Sequence, residues 1–311
     1  KIMMQRHSPF PMVPVAEALA CVLSHCSSLP EETVALPDAV GRVLSQGILA
    51  TTAHPSFPAS IMDGYAVQSS EGPGVFAVAA DVTAGAGTPQ VAVAAGQVAY
   101  ITTGAPLPNG ADAVVMVEET EAVDGQPDQV RIKANATPGD NIRPVGCDIQ
   151  VGDELLARGH TLQACDIGLL ASQGISQVRA VRRACVAVLS SGDELAEVKE
   201  DEIPYSPLQF GCIYDSNRPM LLAAIRHSGA VALDMGVVRD KATELEHKFR
   251  ECLDKADIVV CTGGVSMGSR DLIKPALERI GGSIHFGRIH MKPGKPTTFA
   301  TLDGEGEGEG E

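Results

Sequence analysis

The sequence predicts a multi-domain α/β protein: a doubly wound, mostly parallel sheet domain in the C-terminal half, and a β-rich domain before it. Three observations carry this. From Ala184 onward, strand-like apolar runs alternate with helical periodicity, the pattern of a sheet covered by crossover helices. Between about Thr51 and Gln129, short Val/Ala runs are broken by turn signals at Glu71–Gly74, Gly85–Gly87 and Pro108–Gly110, which indicates short strands. The length of 311 residues suits two or three domains.

The elements follow in chain order. Val15, Ala18, Leu19, Val22, Leu23 and Cys26 recur at helical spacing, and Pro14 suits the first turn of that helix. After the β-rich stretch the chain turns near Pro138–Asp140. Ala164–Ser172 reads as a short helix stopped by Gly174. Val186–Leu189 reads as a buried strand and Arg218–Ser228 as a helix capped by Ser216 or Asn217, with Gly229 after its end. Val231–Leu233 is a strand, and Thr243 with Glu246 forms a capping box for a helix running to about Asp254. Ile258–Cys261 is a strand, Leu272–Ile280 a helix and Ser283–Ile289 a further strand.

Composition narrows the function classes. Hydrophobic residues make up 44% of the chain, enough for real cores, but Trp is absent and aromatics are 4%, so Ala, Val, Leu and Ile must fill them. The net charge of −15 opposes a nucleic-acid role, because phosphate backbones are repelled. Five of the negative charges fall in the last nine residues, where Gly and Glu alternate over Gly304–Glu311. Such a segment has nothing to bury and is expected to be disordered. No apolar run approaches the roughly 18 residues of a membrane span. The eight cysteines are scattered, without a C-x-x-C pair or zinc-ligand spacing, and no signal peptide precedes them. Reduced thiols and a cytoplasmic location are the expectation.

In a doubly wound sheet, ligands bind outside the carboxyl ends of the strands. That rule points to Ser190–Glu194, to Arg239 with Asp240, and above all to Thr262–Asp271, TGGVSMGSRD. Gly263 and Gly264 allow a sharp turn and close approach to a ligand, and the following N–H groups with the Ser266 hydroxyl can cradle an anion. The run is neither a Walker loop nor G-x-G-x-x-G; an ordinary βα turn is its bland alternative. Asp271 begins the next helix, where the helix dipole alone favours a carboxylate. Glu194, Asp240 and Asp271 at neighbouring strand ends would repel one another unless a cation sits among them, and Mg²⁺ bridging phosphate oxygens fits. Met291–Pro296 carries Lys292 and Lys295 on a Pro/Gly-stiffened loop close to Arg288, a cationic clamp for an anion or else a solvated basic turn. Asp63 beside Gly64 reads as a turn aspartate as readily as a site residue. Thr103 with Gly104 is weak alone, and a structural salt bridge explains Arg143 and Asp148 as well as a site does.

Seven segments resemble one family in its order: MDGYAV, TTGAPLPNGADAVV, GDNIRPVGCDI, SSGDEL, IYDSNRPML, TGGVSMGSRD and MKPGKPTTFA. The resemblance, spanning roughly Ser8–Leu302, is to the molybdenum insertases: bacterial MoeA and the E domains of the plant insertase and of gephyrin. Ser8–Pro11 and Ile284–Arg288 look most like the gephyrin branch. The resemblance implies an elongated linking and dimerisation domain over 7–50 and 146–182, an inserted β-rich domain over 51–145, and a molybdopterin-binding α/β domain over 183–303. It implies insertion of molybdate into adenylylated molybdopterin with release of AMP, with Mg²⁺, in a cytoplasmic homodimer whose Asp63 and Thr103 serve the partner's site. Carried over by motif, Asp63, Thr103, Glu194, Asp240 and Asp271 are catalytic. Glu194, Asp240 and Asp271 hold metal, and Arg143, Asp148, Gly263, Gly264, Ser266, Arg288, Lys292 and Lys295 bind substrate. Arg288 stands where the bacterial relatives carry Lys. Family members continue beyond the KPGKP segment into a C-terminal β domain, so the sequence is expected either to be truncated before that domain or to be without it. Two rival readings are an adenylyltransferase-like enzyme, opposed by Ser60–Val67 and Asn141–Asp148, and a gephyrin-like scaffold that binds receptor-loop peptides through Phe10.

Overall fold

A computed structural model describes residues 10–85, 87, 91–198, 208–264 and 272–302. The chain forms two compact units, one of residues 1–32 with 180–311 and the other of 33–179.

The first unit is built on a three-stranded parallel sheet in the spatial order Val231–Val238, Cys185–Ser191, Ile258–Thr262. The central strand is buried on both faces from Val186 to Ser191, which is why its sequence is a continuous apolar run rather than an alternating one. Ala187 and Leu189 point to one face, where they meet Leu245, Phe249 and Cys252 of helix Ala242–Leu253 and Ile273 and Ala276 of helix Ile273–Arg279. By strand alternation Val186 and Val188 face the other side. There the helix Asn217–His227, with Leu222 buried, packs against the central strand and Val231–Val238. Helices on both faces of a parallel sheet make the doubly wound arrangement expected from the sequence.

Several local expectations change. Neither Ser216 nor Asn217 caps the helix Asn217–His227; the Asp215 carboxylate does, accepting the Arg218 N–H at 3.2 Å. The Thr243–Glu246 capping box does not form. Its glutamate instead accepts from Arg279 of the neighbouring helix, at 2.5 Å, an interhelical partner outcompeting a local one. The strand expected over Ser283–Ile289 ends at Phe286 and does not join the parallel sheet. It pairs antiparallel with Phe299–Thr301, a strand the sequence pattern did not reveal. The N-terminal helix spans Val15–Ser24, not reaching Cys26. Only part of its apolar stripe is covered: Ala18, with Cys21 and Val22, packs on Phe286 and Ile289, while Leu19 and Leu23 are 58% and 60% exposed.

Among the described residues of this unit, Arg218 and Asp215 are the buried charged side chains. The Arg218 guanidinium donates to Asp215 at 3.0 Å, to Glu197 at 2.5 Å and, in a shorter contact, to Asp234. Burial pushes the Asp215 carboxyl up, but bonds from the Arg218 N–H and guanidinium and from the Ser190 hydroxyl outweigh it, leaving the group below its ordinary value.

The second unit contains a six-stranded sheet in the order Ala113–Met116, Gly64–Val67, Gln97–Ile101, Gly74–Val82, Gln126–Ile132, Thr120–Val123. All pairs are antiparallel except Gly74–Val82 with Gln97–Ile101. Both faces are apolar: Ala66, Ala99, Ile101 and Val114 lie in one cluster and Val67, Val98, Val115 and Val130 in another. Small and β-branched residues suffice here because neighbouring strands stand close. The rest of the unit is irregular chain tied by two-stranded pairs, Ile48–Leu49 with Glu154–Leu156 and Ala59–Ser60 with Ile142–Arg143. Its helix, Ala164–Ser172, has a capping box between Gln163 and Asp166. The Asp166 carboxylate also pairs with His160 at 2.7 Å.

Leu245→Ala is expected to lower the unfolding free energy by about 3 kcal/mol through lost burial and a residual cavity; a urea midpoint close to that of the parent would place Leu245 outside a packed core. The depressed carboxyl of Asp215 has its own signature. Its contribution is complete above the unfolded value of about 3.9 and is lost as pH falls through the lower folded value. The stability gap between the parent and Asp215→Asn is therefore expected to shrink on going from pH 6 to about pH 3, measured by urea unfolding across that range.

Candidate functional site

The carboxyl ends of the three parallel strands bring Ser190–Glu194, Arg239–Asp240 and Thr262–Gly264 to one edge of the sheet, because the register places Ser190 beside Val237 and Thr262 and Ser191 beside Val238. Ser190 and Ser191 are fully buried, and their hydroxyls are spent on fixing this edge. Ser190 Oγ bonds Thr262 Oγ1 at 2.9 Å, and Ser191 Oγ donates to Asp240 Oδ1 at 3.0 Å. Asp193 Oδ1 accepts the Asp240 N–H at 3.3 Å, and the Asp193 carbonyl accepts from Arg239 at 3.2 Å. Asp240 is thus held from two sides with one carboxylate oxygen unengaged by these bonds. Glu194 is exposed, and its carbonyl accepts the Ile213 N–H at 2.9 Å, which anchors the loop that bears it.

Gly263 has φ +89°, and a Cβ there would lie 1.9 Å from the Ser191 carbonyl oxygen. Only glycine lets the chain leave the strand Ile258–Thr262 so close to the end of the central strand. Gly264, at φ +59°, would place a Cβ 3.0 Å from Ile273. Ser266 and Asp271 lie outside the described residues. Among the described residues, Glu194 and Asp240 do not join a third His, Cys, Asp or Glu in one group of ligand atoms. Behind the edge, burial pushes the Cys261 thiol up to about 12, so this cysteine supplies no thiolate at neutral pH.

Arg288, Lys292 and Lys295 belong to the connection 287–298 between the antiparallel strands Ser283–Phe286 and Phe299–Thr301. The loop is stiffened by backbone bonds from Ile289 N–H to the Lys295 carbonyl at 3.0 Å and from Val13 N–H to the Arg288 carbonyl at 3.1 Å. The Thr297 hydroxyl donates to the Gly294 carbonyl at 2.7 Å. Lys292 and Lys295 are exposed, and neither they nor Arg288 form an ion pair among the described residues. Phe10 is half-buried, and a Cβ on Gly287 would lie 2.8 Å from its ring. It is therefore not sunk in a core.

The remaining candidates lie in the second unit, around the strand Ala59–Ser60. On one side that strand pairs with Ile142–Arg143; on the other, the Ser60 carbonyl accepts the Gly104 N–H at 2.8 Å. Asp63 Oδ1 accepts both the N–H of Thr103, at 2.7 Å, and its hydroxyl, at 3.0 Å. These two bonds, the backbone one first, hold the Asp63 carboxyl below its ordinary value. Arg143 and Asp148 form an ion pair. It raises the guanidinium and lowers the carboxyl, with the Cys147 thiol as a further donor to Asp148 at 3.4 Å. Asn141, at φ +55°, makes the turn that delivers Arg143, steadied by its amide donating to the Val114 carbonyl at 2.8 Å.

Sequence reasoning did not single out Ser191, Asp193 or Thr262 as the groups that fix Asp240 and the strand edge. The signal was present in the polar Ser190–Asp193 run directly after four buried apolar residues, since buried hydroxyls need partners.

A parallel sheet with a polar, glycine-opened carboxyl edge, joined to a second unit rich in β-strands, defines an α/β protein of composite build, with the edge at which such sheets commonly bind ligands. Comparison with known proteins narrows the class. Residues 13–174 match the family described as MoeA N-terminal region (domain I and II), and residues 187–308 match the probable molybdopterin binding domain. The chain is 36% identical to the gephyrin of Dictyostelium discoideum over 96% of its own length and 44% of that protein. It is 37% identical to a molybdopterin molybdenumtransferase of Nostoc sp., over 87% of its own length and 62% of the relative. The crystal structure of a molybdopterin biosynthesis MoeA protein from Pyrococcus horikoshii superposes with a TM-score of 0.80 at 32% identity, covering 94% of this chain and 72% of that one. The chain belongs to the MoeA family, and it spans about half to two thirds of the length of these curated relatives.

Thr103→Val keeps the backbone bond to Asp63 and removes the hydroxyl bond. The Asp63 carboxyl is expected to titrate at higher pH than in the parent while staying below its ordinary value, as followed by the carboxyl carbon shift in NMR. Gly263→Ala is expected to destabilise the first unit by more than about 1 kcal/mol, because neither the φ nor the space admits a side chain. Thermal unfolding indistinguishable from that of the parent would contradict the close approach to Ser191.

Proposed function

We propose that the chain acts in molybdenum cofactor biosynthesis as a molybdopterin molybdotransferase. The substrates are adenylylated molybdopterin and molybdate, and AMP is released as molybdate enters the dithiolene. The observation that carries this is the carboxyl edge of the parallel sheet. There Gly263 opens the backbone, and Ser191 and the Asp240 N–H contact to Asp193 hold a carboxylate in place. The family match over both parts of the chain and the named enzymes among its relatives support the same reading. On the family resemblance, the chain divides into a linking and dimerisation domain over 7–50 and 146–182, an inserted β-rich domain over 51–145 and a molybdopterin-binding domain over 183–303.

The chain's own residues divide the work by charge. Lys292, Lys295 and Arg288, on a loop already ordered by its own hydrogen bonds, bind the phosphate and molybdate oxygens with little further loss of entropy. Gly263, Gly264 and Ser266 offer backbone and hydroxyl donors to the pyrophosphate. Glu194, Asp240 and Asp271 would hold Mg²⁺. This ion commonly takes only one or two protein carboxylates and completes its shell with water and phosphate, so the hard oxygen donors of Glu194 and Asp240 suit it. When bound, it would neutralise charge developing on the phosphoanhydride. Thr103 orients Asp63 by two hydrogen bonds, and the Arg143–Asp148 pair presents a fixed dipole. Asp63 and Thr103 serve the site of the partner subunit in a cytoplasmic homodimer, as the family resemblance implies.

The reaction supplies the test. With adenylylated molybdopterin, molybdate and Mg²⁺, the folded chain is expected to release AMP, detected by chromatography, and to pass active cofactor to a molybdenum-free apoenzyme. Intact substrate after prolonged incubation would exclude the activity for this chain. Asp271→Ala is expected to lower turnover by at least about a hundredfold, as for loss of a catalytic metal ligand, with the thermal midpoint nearly unchanged. Lys292→Ala combined with Lys295→Ala is expected chiefly to weaken substrate binding.

A further inference from the structure

The helix Val15–Ser24 and the strand Ser283–Phe286 bring together three side chains that the reading above leaves unused. Cys21 lies in the last turn of the helix and His25 is its C-cap, four residues on and so on the same face. His285 comes from the strand. One ligand atom from each of Cys21, His25 and His285 lies within 4.8 Å of the other two, and this is the only such group of three among the described residues. The site is half-exposed at Cys21 and exposed at both histidines.

The outer bonds are those of oriented ligands. His25 Nδ1 contacts the Cys21 carbonyl oxygen at 2.8 Å. A carbonyl only accepts, so Nδ1 carries the proton and Nε2 keeps its lone pair. His285 Nε2 pairs with Thr301 Oγ1 at 2.8 Å, which leaves Nδ1 for a metal. Imidazoles that bind metals are usually fixed in this way through the other nitrogen. Phe299 backs both rings, with centroids 5.7 Å from His25 and 5.2 Å from His285, so one side of the group is apolar. The two imidazoles stand 4.0 Å apart and tilted by 46°. With bonds of about 2.3 Å to sulfur and 2.0 Å to nitrogen, a tetrahedral ion sets its ligand atoms roughly 3.5 Å apart. Closing from separations of at most 4.8 Å takes side-chain rotations of about 1 Å at an exposed helix end.

We propose that Cys21, His25 and His285 bind one Zn²⁺ ion, with the fourth position open to water. A thiolate with two imidazoles suits a borderline-soft ion and is a poor donor set for Mg²⁺ or Ca²⁺. On binding, the Cys21 thiol loses its proton to solvent as the sulfur–metal bond forms, so affinity falls as pH is lowered. The ion clips the N-terminal helix to the strand that leads into the loop of Arg288, Lys292 and Lys295. The apolar core beneath is small, with Ala18, Phe286 and Ile289 as its fully buried members, so a metal cross-link adds holding power where burial supplies little.

The test uses the whole chain, reduced and stripped of metal by chelator, then titrated with Zn²⁺, Co²⁺ and Mg²⁺. One tight Zn²⁺ per chain is expected, with a rise in the thermal midpoint that Mg²⁺ does not give. Co²⁺ should show a thiolate charge-transfer band and the intense visible bands of a tetrahedral site. Cys21→Ser should abolish the charge-transfer band and weaken Zn²⁺ binding by on the order of a hundredfold; His285→Gln should weaken it similarly, and Cys26→Ser should change neither. Circular dichroism checks each fold, and Cys21→Ser, a near-isosteric change at a half-exposed position, decides the matter if His285→Gln unfolds. A thermal midpoint unmoved by excess Zn²⁺, or a charge-transfer band that survives Cys21→Ser, overturns the proposal.

Discussion

The first unit depends on one constraint: the strand Cys185–Ser191 is hydrogen-bonded on both edges and covered on both faces. A central parallel strand has no route to solvent, so its apolar run Val186–Leu189 must end where polar groups can be paired. Ser190 and Ser191 mark that end. Their hydroxyls are as buried as the leucine before them, yet each has a partner on a neighbouring strand or its following loop. Unpaired, each would cost about 1–3 kcal/mol. Paired, they tie the three strand ends to one another and fix Asp240. The same interaction that satisfies the core therefore orders the candidate site.

The buried Arg218 network extends this logic to the opposite face. Asp215 caps the helix Asn217–His227 and holds the arginine, while Asp234 from the edge strand and Glu197 beyond the central strand complete its shell. A buried ion pair is a weak source of net stability but a strong selector of geometry, because a misplaced partner leaves a charge unpaired. Here it sets helix against sheet within about one hydrogen-bond length.

Much of this was legible in the sequence because the relevant forces are local or periodic. The alternation after Ala184, the glycines at 263 and 264, the short strands between Thr51 and Gln129 and the helix Ala164–Ser172 all follow from side-chain period and turn chemistry. Two of the failures share one cause. Glu246 left its expected capping box for Arg279, and the segment 283–289 stopped short to pair with Phe299–Thr301. In both a partner distant in sequence offered a better bond than the neighbour that propensity favours. Asp215, a near neighbour, took the cap expected of Ser216 or Asn217 while also accepting from the Arg218 guanidinium. The apolar stripe of Val15–Ser24 likewise gave the helix but not which half of it is covered.

The sequence by itself determined the fold class, the order of elements and the motifs that mark the MoeA family, since periodicity, glycine placement and seven ordered segments are properties of the chain alone. Only the tertiary structure decided how those motifs are held. It set the Ser191–Asp240 bond, the two bonds from Thr103 to Asp63 and the Arg143–Asp148 pair. It also gathered Cys21, His25 and His285 into one ligand group that no sequence spacing announces. The reason is physical: a hydrogen bond or a metal ligand set requires atoms within a few ångströms, and only the packing of distant segments brings them there.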